Sequence, residues 1–315
     1  MKRGPVLLFL CGGRRVTLLQ HFKAAVDPAG GRILVTDTEP WSASSHIADR
    51  AYRVAPCADG ARFGDDVACI CAEEGVCAVV PLTCAAVGAL PMVRARTPAR
   101  IIGGDAEAIA TATDKRLTSA YFYRLGIPTP AVFDNPSPLD LPLFRRYRHG
   151  EGSRGALPIL TAAELALVQG ENGQIFTKYL QGTEYSVDCY KDLQGRIRAI
   201  MPRLRLRVRS GEVEKAVIRR EYALIEVVQR TIEGLRFVGP ATVQAIHADG
   251  VFHLTEINLR YGGGVTLSIA AGMDSPGWLV AELMGRAPEP QRLRWHLAMC
   301  RHDRDIYFEL PGDEA

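Results

Sequence analysis

The sequence predicts a mixed α/β and α+β protein in three parts, and two changes of texture along the chain predict it. In the first third, short apolar runs alternate with helical patterns: VLLFL, VTLLQHFKAAV, GRILVTDTE, DVACICAEEGV, CAVVPL, VGALPMV and ARIIGG. Strand followed by helix, repeated, gives a parallel sheet covered on both faces, a Rossmann-like wound layer. From residue 175 the runs become long and alternating: QIFTKYL, EYSVDCYKDLQGRIRAIMPRLRLRV and ATVQAIHADGVFHLTEINLR. KDLQG and HADG are hairpin signals, so these strands form an antiparallel sheet, with ALIEVVQRTIEGL as a helix between strands.

Bulk composition narrows the function classes. With 315 residues and 47% hydrophobic content the chain can bury a sizeable core and is not disordered. A net charge of +3 gives no global field for nucleic acid or an anionic membrane. The apolar run at the start, Val6 to Cys11, passes into Gly-Gly-Arg-Arg, which suits a buried strand entering a turn rather than a signal peptide. No stretch approaches the ~18 apolar residues of a membrane span, so a cytoplasmic protein is expected. The eight cysteines include no CxxC pair, and most sit in apolar runs as small hydrophobes, which argues against structural zinc.

Taken in order, CGGRRV after the first strand lacks the G-x-G-x-x-G of a dinucleotide site, and Asp37 reads as a loop or cap residue. TDKRLTSAYFYRLGIPTP is a helix capped by Thr113 or Asp114, with Leu117, Ala120, Tyr121 and Leu125 on one face and a stop at Gly126. RRYRHGEGSRGA, residues 145 to 156, sets basic residues around Gly150, Gly152, Gly155 and Ser153. Such a loop lets backbone N–H groups approach phosphate while Arg146 or Arg148 supplies charge; a flexible surface loop is the plainer account. TAAELALVQG is a further helix opened by Thr161.

In TEINLRYGGG, alternation sends Glu256, Asn258 and Arg260 to one face of a strand. Whether Gln244 joins them depends on the connecting loop. A two-residue Asp-Gly turn pairs Gln244 with Thr255 and turns it away, whereas a three-residue loop, Ala248-Asp249-Gly250 with Gly250 left-handed, puts it beside Glu256. The three-residue loop is expected. Gln244, Glu256 and Asn258 then make an all-oxygen set suited to a hard divalent cation carried by a nucleotide, with Arg260 placed to fork onto phosphate. Arg203, Arg205, Arg207 and Arg209 alternate with Leu204, Leu206 and Val208 and form either a cationic wall for an anionic substrate or a solvated strand face. No histidine pairs convincingly with a nucleophile, so a serine or cysteine hydrolase is unsupported.

In sequence order these segments resemble the ATP-grasp superfamily, in the branch similar to carbamoyl-phosphate synthetase large-subunit domains and the pyrrolysine-pathway ligase. TDKRLTSAYFYRLGIPTP is similar to the family's Asp-Lys helix, RYRHGEGSRG to its K-P-R-x-G-x-G-S-x-G loop, and FTKYLQGTEYSVDCYKD to its hinge strand. PRLRLRVRSGEVEKAV and VQAIHADGVFHLTEINLRYGGG resemble its Arg strand and metal hairpin.

The resemblance implies an ATP-grasp fold with a Rossmann-like domain over residues 1–109, a small lid over 110–177 and an antiparallel-sheet domain over 178–315. It further implies that Lys115 and Arg146 contact phosphates and that Ser153 sits in the loop above them. Lys178, Tyr179 and Leu180 would present hinge backbone to adenine, and Glu184 would hold ribose. Gln244, Glu256 and Asn258 would bind one or two magnesium ions, with manganese as the alternative, and Arg260 would stabilise the phosphoryl group. Arg203 and Arg205 are then candidates for a carboxylate or acyl-phosphate pocket.

Three positions depart from the family's pattern: Arg146 replaces a common Lys, Lys178 a frequent acid, and PLTCAAVGAL lacks an acidic pair. The implied activity is ATP-dependent joining of a small-molecule carboxylate to an amine; no nucleic-acid or membrane partner is expected, and the flat apolar sheets of the first domain favour a homodimer over a monomer. A kinase of the same fold and a non-catalytic nucleotide-binding protein are the alternatives.

Overall fold

The computed structural model describes residues 4–39, 41–150, 155–209, 211–289 and 291–309. The first unit runs β1 (Val6–Leu10), α1 (Val16–Val26), β2 (Arg32–Asp37), β3 (Arg50–Arg53), α2 (Gly60–Glu74), β4 (Ala78–Pro81), α3 (Cys84–Arg94), β5 (Arg100–Ile101) and α4 (Ala106–Thr113). Its five strands are parallel in the order β3-β2-β1-β4-β5. Leu7, Leu8, Phe9 and Leu10 are all fully buried, as a central strand covered on both faces requires. The wound layer read from the sequence is therefore present, with β3 as an addition. Its RAYR sequence carries no apolar run, and β3 is an edge strand held on β2 alone.

The middle of the chain supplies α5 (Lys115–Arg124), β6 (Val132–Phe133), β7 (Leu143–Tyr147), β8 (Leu157–Ile159), α6 (Ala162–Val168) and β9 (Gln174–Lys178). These strands make a four-stranded antiparallel sheet, β6-β9-β7-β8, over a small core of Leu143, Ile159, Leu165 and Phe176. Asp114 caps α5 and Thr161 caps α6 in a reciprocal box with Glu164. The buried face of α5 is Thr118, Ser119, Tyr121 and Phe122, while Leu117 and Ala120 are exposed. The expected stripe through Leu117 and Ala120 is thus rotated, because Tyr121 reaches back to donate to the Thr231 carbonyl at 2.7 Å.

The last part comprises β10 (Thr183–Lys191), β11 (Ile197–Arg209), β12 (Glu212–Ile218), α7 (Tyr222–Glu233), β13 (Gly239–Ala248), β14 (Val251–Asn258), α8 (Val265–Ala270), α9 (Ser275–Leu283) and β15 (Ala298–Cys300). Its six-stranded antiparallel sheet is ordered β14-β13-β10-β11-β12-β15. One face, with Val187, Val243, Ala245, Leu254 and Ile257, belongs to the same core as Leu8 and Val79 of the parallel sheet. A second core joins α1 to this part, with the Phe22 and Tyr261 rings in edge contact at 5.6 Å.

The β13–β14 hairpin corrects the expected loop. Ala248 pairs directly with Val251, and Asp249 (φ 50°) and Gly250 (φ 77°) form a two-residue turn with both residues left-handed. Gln244 nevertheless lies opposite Glu256, because a β-bulge between Gln244 and Ala245 leaves Thr255 as the extra residue. Leu254 and Ile257, three apart, both face the core, and strict alternation would have turned Glu256 there instead. Replacing Gly250 with Val puts a branched side chain at φ 77°, so a loss of about 1–2 kcal/mol is expected. Urea denaturation would measure it as a lowered midpoint with unchanged slope.

Candidate active site

The bulge sets the geometry of the polar face of the large sheet. Gln244 and Glu256 are direct cross-strand partners, and Thr242 and Asn258 form the next pair on the same face. Ser186 and Asp188 on β10 continue these two rows, opposite Gln244 and Thr242 respectively. The expected oxygen set is therefore contiguous: one carboxylate and two amides, a donor chemistry that fits a hard divalent cation sharing its charge with phosphates.

Glu256 lies within the field of two guanidinium groups, Arg146 from β7 and Arg205 from β11. Burial pulls both arginines below their ordinary values, and the Glu256 charge works against that pull. Asn258 is buried, and its Oδ1 accepts from the Cys84 thiol at 2.8 Å and from Arg260 Nη2 at 3.4 Å. Arg260 Nη1 donates to the Tyr261 carbonyl at 3.1 Å. The Asn258 amide is thereby held at the edge where Glu256 and Arg260 converge.

The small sheet closes on this edge. Arg146 Nη1 donates to the carbonyl of Thr255 at 3.4 Å, so the bulged residue also receives the small sheet. Lys115, at the first turn of α5, donates from Nζ to the Gly150 carbonyl at 2.9 Å, and its backbone N–H donates to Arg148. The two basic positions singled out in the loop divide their work: Arg148 does not face the sheet but binds Asp114 at 2.6–2.9 Å. Burial raises the Asp114 carboxyl, but Arg148 and two backbone N–H groups outweigh it and hold it below its ordinary value. Ser153 lies outside the described residues.

At the hinge, Lys178 Nζ donates to the carbonyls of Asp140 and Leu141 at 3.3 and 3.4 Å. Tyr179 stacks on Phe144 and donates its N–H to Pro142, and Leu180 is half-buried. The Lys178 ammonium is turned onto backbone, which leaves any recognition at 178–180 to main-chain groups. Glu184 is exposed and accepts from Arg205 Nη1 at 2.7 Å.

The alternating arginines of β11 separate into two groups. Arg207 and Arg209 are exposed at the strand end, where the pairing with β12 slips, and they face Glu214 and Asp303. Arg203 is only 1% exposed and makes a two-point bridge to Asp188, Nε at 2.6 Å and Nη2 at 3.0 Å. Ser268 adds a 2.6 Å hydrogen bond to the same carboxylate, and Thr242 one at 3.4 Å.

The glycine run lies directly over this pair. A Cβ on Gly264 would come within 2.4 Å of Arg203 Nη1, and one on Gly262 within 3.1 Å of Asp188 Oδ1. The glycines are needed for close approach to an ion pair rather than for left-handed backbone. Asp188, Ser268 and Cys84 are the members of this site that the sequence reading did not assign. Asp188 had a signal, an acid in the apolar alternation SVDCY, whereas Cys84 and Ser268 arrive from distant elements.

Two family models match the chain. One, described as ATP-grasp in the biosynthetic pathway with Ter operon, matches residues 171–300; the other, PylC-like, N-terminal domain, matches residues 7–114. Residues 171–300 thus carry an ATP-grasp domain. No curated protein matches it in sequence.

Among solved structures, this ATP-grasp protein is similar to the ADP complex of purK, N5-carboxyaminoimidazole ribonucleotide synthetase. The TM-score is 0.75 at 15% identity, covering 95% of this chain and 81% of that one. It is also similar to the L-amino acid ligase from Bacillus licheniformis (TM-score 0.70, 16% identity, covering 90% and 75%). A third is the biotin carboxylase domain dimer of Hydrogenobacter thermophilus 2-oxoglutarate carboxylase with MgADP, ADP and bicarbonate (TM-score 0.71, 14% identity, covering 93% and 73%). At these identities the likeness establishes the fold.

Removing the Asp188 carboxylate strands a buried cation. For Asp188→Ala in this ATP-grasp chain a loss of about 3–5 kcal/mol is expected, read by chemical denaturation beside Arg207→Ala, which removes an exposed partner and should change stability by less than about 1 kcal/mol.

Proposed function

We propose that this chain is an ATP- and magnesium-dependent ligase that joins a small-molecule carboxylate to an amine through an acyl phosphate. The observation that carries the reading is the direct pairing of Gln244 with Glu256, with Asn258 one rung away and Arg146 reaching the same edge from the small sheet. Residues 1–109, 110–177 and 178–315 act as substrate layer, lid and metal-bearing domain. The nucleotide occupies the space between lid and large sheet.

In this reading Lys115 and Arg146 hold phosphate oxygens. The backbone of Lys178, Tyr179 and Leu180 meets adenine, and Glu184 meets ribose. Gln244, Glu256 and Asn258 hold magnesium, which when bound neutralises phosphate charge. Arg260 stabilises the phosphoryl group in transfer, because this chemistry needs positioning and charge rather than a protein nucleophile.

The substrate carboxylate oxygen bonds to the γ-phosphorus as the β–γ bond breaks and ADP leaves. The amine then attacks the acyl carbon, with loss of phosphate and a proton. Arg205, half-buried with its Nη1 on exposed Glu184, is the arginine available to the anionic substrate. Arg203 contributes through Asp188 by holding the glycine run in place.

The test is ADP release from MgATP across paired amino acids and small acids, with mass spectrometry of each active mixture. A new amide with stoichiometric ADP supports the ligase; a phosphorylated acid or alcohol without amide would identify a kinase instead. Glu256→Gln is expected to lower ADP release by about 10²–10³-fold while the protein stays folded. Unchanged turnover in that variant would overturn the metal assignment.

A further inference from the structure

Two thiols meet at the edge of the parallel sheet that faces the site. Cys11 leaves β1 with left-handed backbone, φ 59°, although it is not glycine. Its N–H is turned to Thr36 Oγ1 at 3.3 Å, and its Sγ lies 3.5 Å from the Sγ of Cys57, which follows β3. The two residues come from different strand exits, 46 positions apart, and both are half-buried, so a small molecule can reach them. These exits are at the carboxyl ends of the parallel strands, the side on which open α/β sheets carry ligands.

We propose that Cys11 and Cys57 form a reversible disulfide, a thiol-modification site in the first unit of this chain. The sulfurs are already in van der Waals contact, and closing from 3.5 Å to the bonded separation of about 2.05 Å is within side-chain rotation. The oxidant is a small disulfide of the glutathione class. The Cys57 thiolate attacks one sulfur of that molecule, the oxidant's S–S bond breaks, and one small thiol leaves. The Cys11 sulfur then attacks Cys57, the Sγ–Sγ bond forms, and the second small thiol leaves.

Two protein S–H groups are consumed, two electrons pass to the oxidant, and two small thiols are produced. Its hydrogen bond with Cys57 and its burial push the Cys11 thiol well above the ordinary value, which disfavours Cys11 as the first nucleophile.

Closing the bond ties the Gly12–Arg15 loop to the segment after β3. That loop carries Arg15, whose guanidinium lies 3.3 Å from where a Cβ of Gly263 would sit. The disulfide would therefore restrain, within the first unit, the loop whose Arg15 reaches the glycine run of the large-sheet domain.

The experiment treats the full chain with oxidised glutathione, blocks free thiols with iodoacetamide and maps the peptides by mass spectrometry. Exposed Cys69 and Cys300 report that the oxidant has acted. The expected result is a Cys11–Cys57 linked peptide pair without glutathione on either residue, lost on treatment with dithiothreitol. In Cys57→Ser the cross-link is absent. Cys11 and Cys57 both recovered alkylated, or each carrying glutathione, while Cys69 or Cys300 has reacted, would overturn the proposal. The readout is a covalent mass, so it stands or falls separately from the ligase reading.

Discussion

Everything at the candidate site depends on the burial of one face of the six-stranded sheet. Val187, Val243, Ala245, Leu254 and Ile257 occupy a core shared with the parallel sheet, and none is more than 6% exposed. A hairpin with a two-residue turn from Ala248 to Val251 would set Val243 against Glu256 and drive a carboxylate into that core. Desolvating an unpaired carboxylate costs several kcal/mol, far more than the local disruption of a bulge. The strand therefore kinks at Thr255, Ile257 takes the apolar place, and Glu256 emerges beside Gln244.

That one extra residue also couples the two halves of the site. A bulged residue is left out of regular ladder pairing, and the carbonyl of Thr255 accepts Arg146 from the small sheet. The position that sets Glu256 beside Gln244 is thus the position at which the small sheet contacts the large one.

Charge is managed differently at depth and at the rim. Arg203 and Asp188 are both 1% exposed and are joined by two hydrogen bonds, from Nε and Nη2, with Ser268 and Thr242 adding to the carboxylate. Such a pair contributes little net stability compared with apolar packing, but it defines a rigid polar floor. Gly262 and Gly264 bring the chain down onto that floor where any side chain would collide. Arg207 and Arg209, further along the same strand, meet acids in solvent, where screening leaves such pairs weak.

The wound first unit, the antiparallel last part, the capped helices and the strand carrying Glu256 and Asn258 were legible in the sequence, because apolar periodicity and capping residues act locally; that strand ends at Asn258, and Arg260 lies beyond it. Gln244 was also legible as a partner of Glu256, though by the wrong device. The spacing of Leu254 and Ile257, three apart in a strand, contained the bulge, but only the core those two residues share makes it compulsory. The acid in SVDCY marked Asp188 but not its place beneath the glycines, and Cys84 on Asn258, Arg148 turned to Asp114 and the Cys11–Cys57 contact could not be read at all. Each joins residues tens of positions apart or more, and no one-dimensional pattern encodes which side chains meet once two sheets share a core. Local propensity determined the elements; the burial of opposed faces decided which of their polar residues converge.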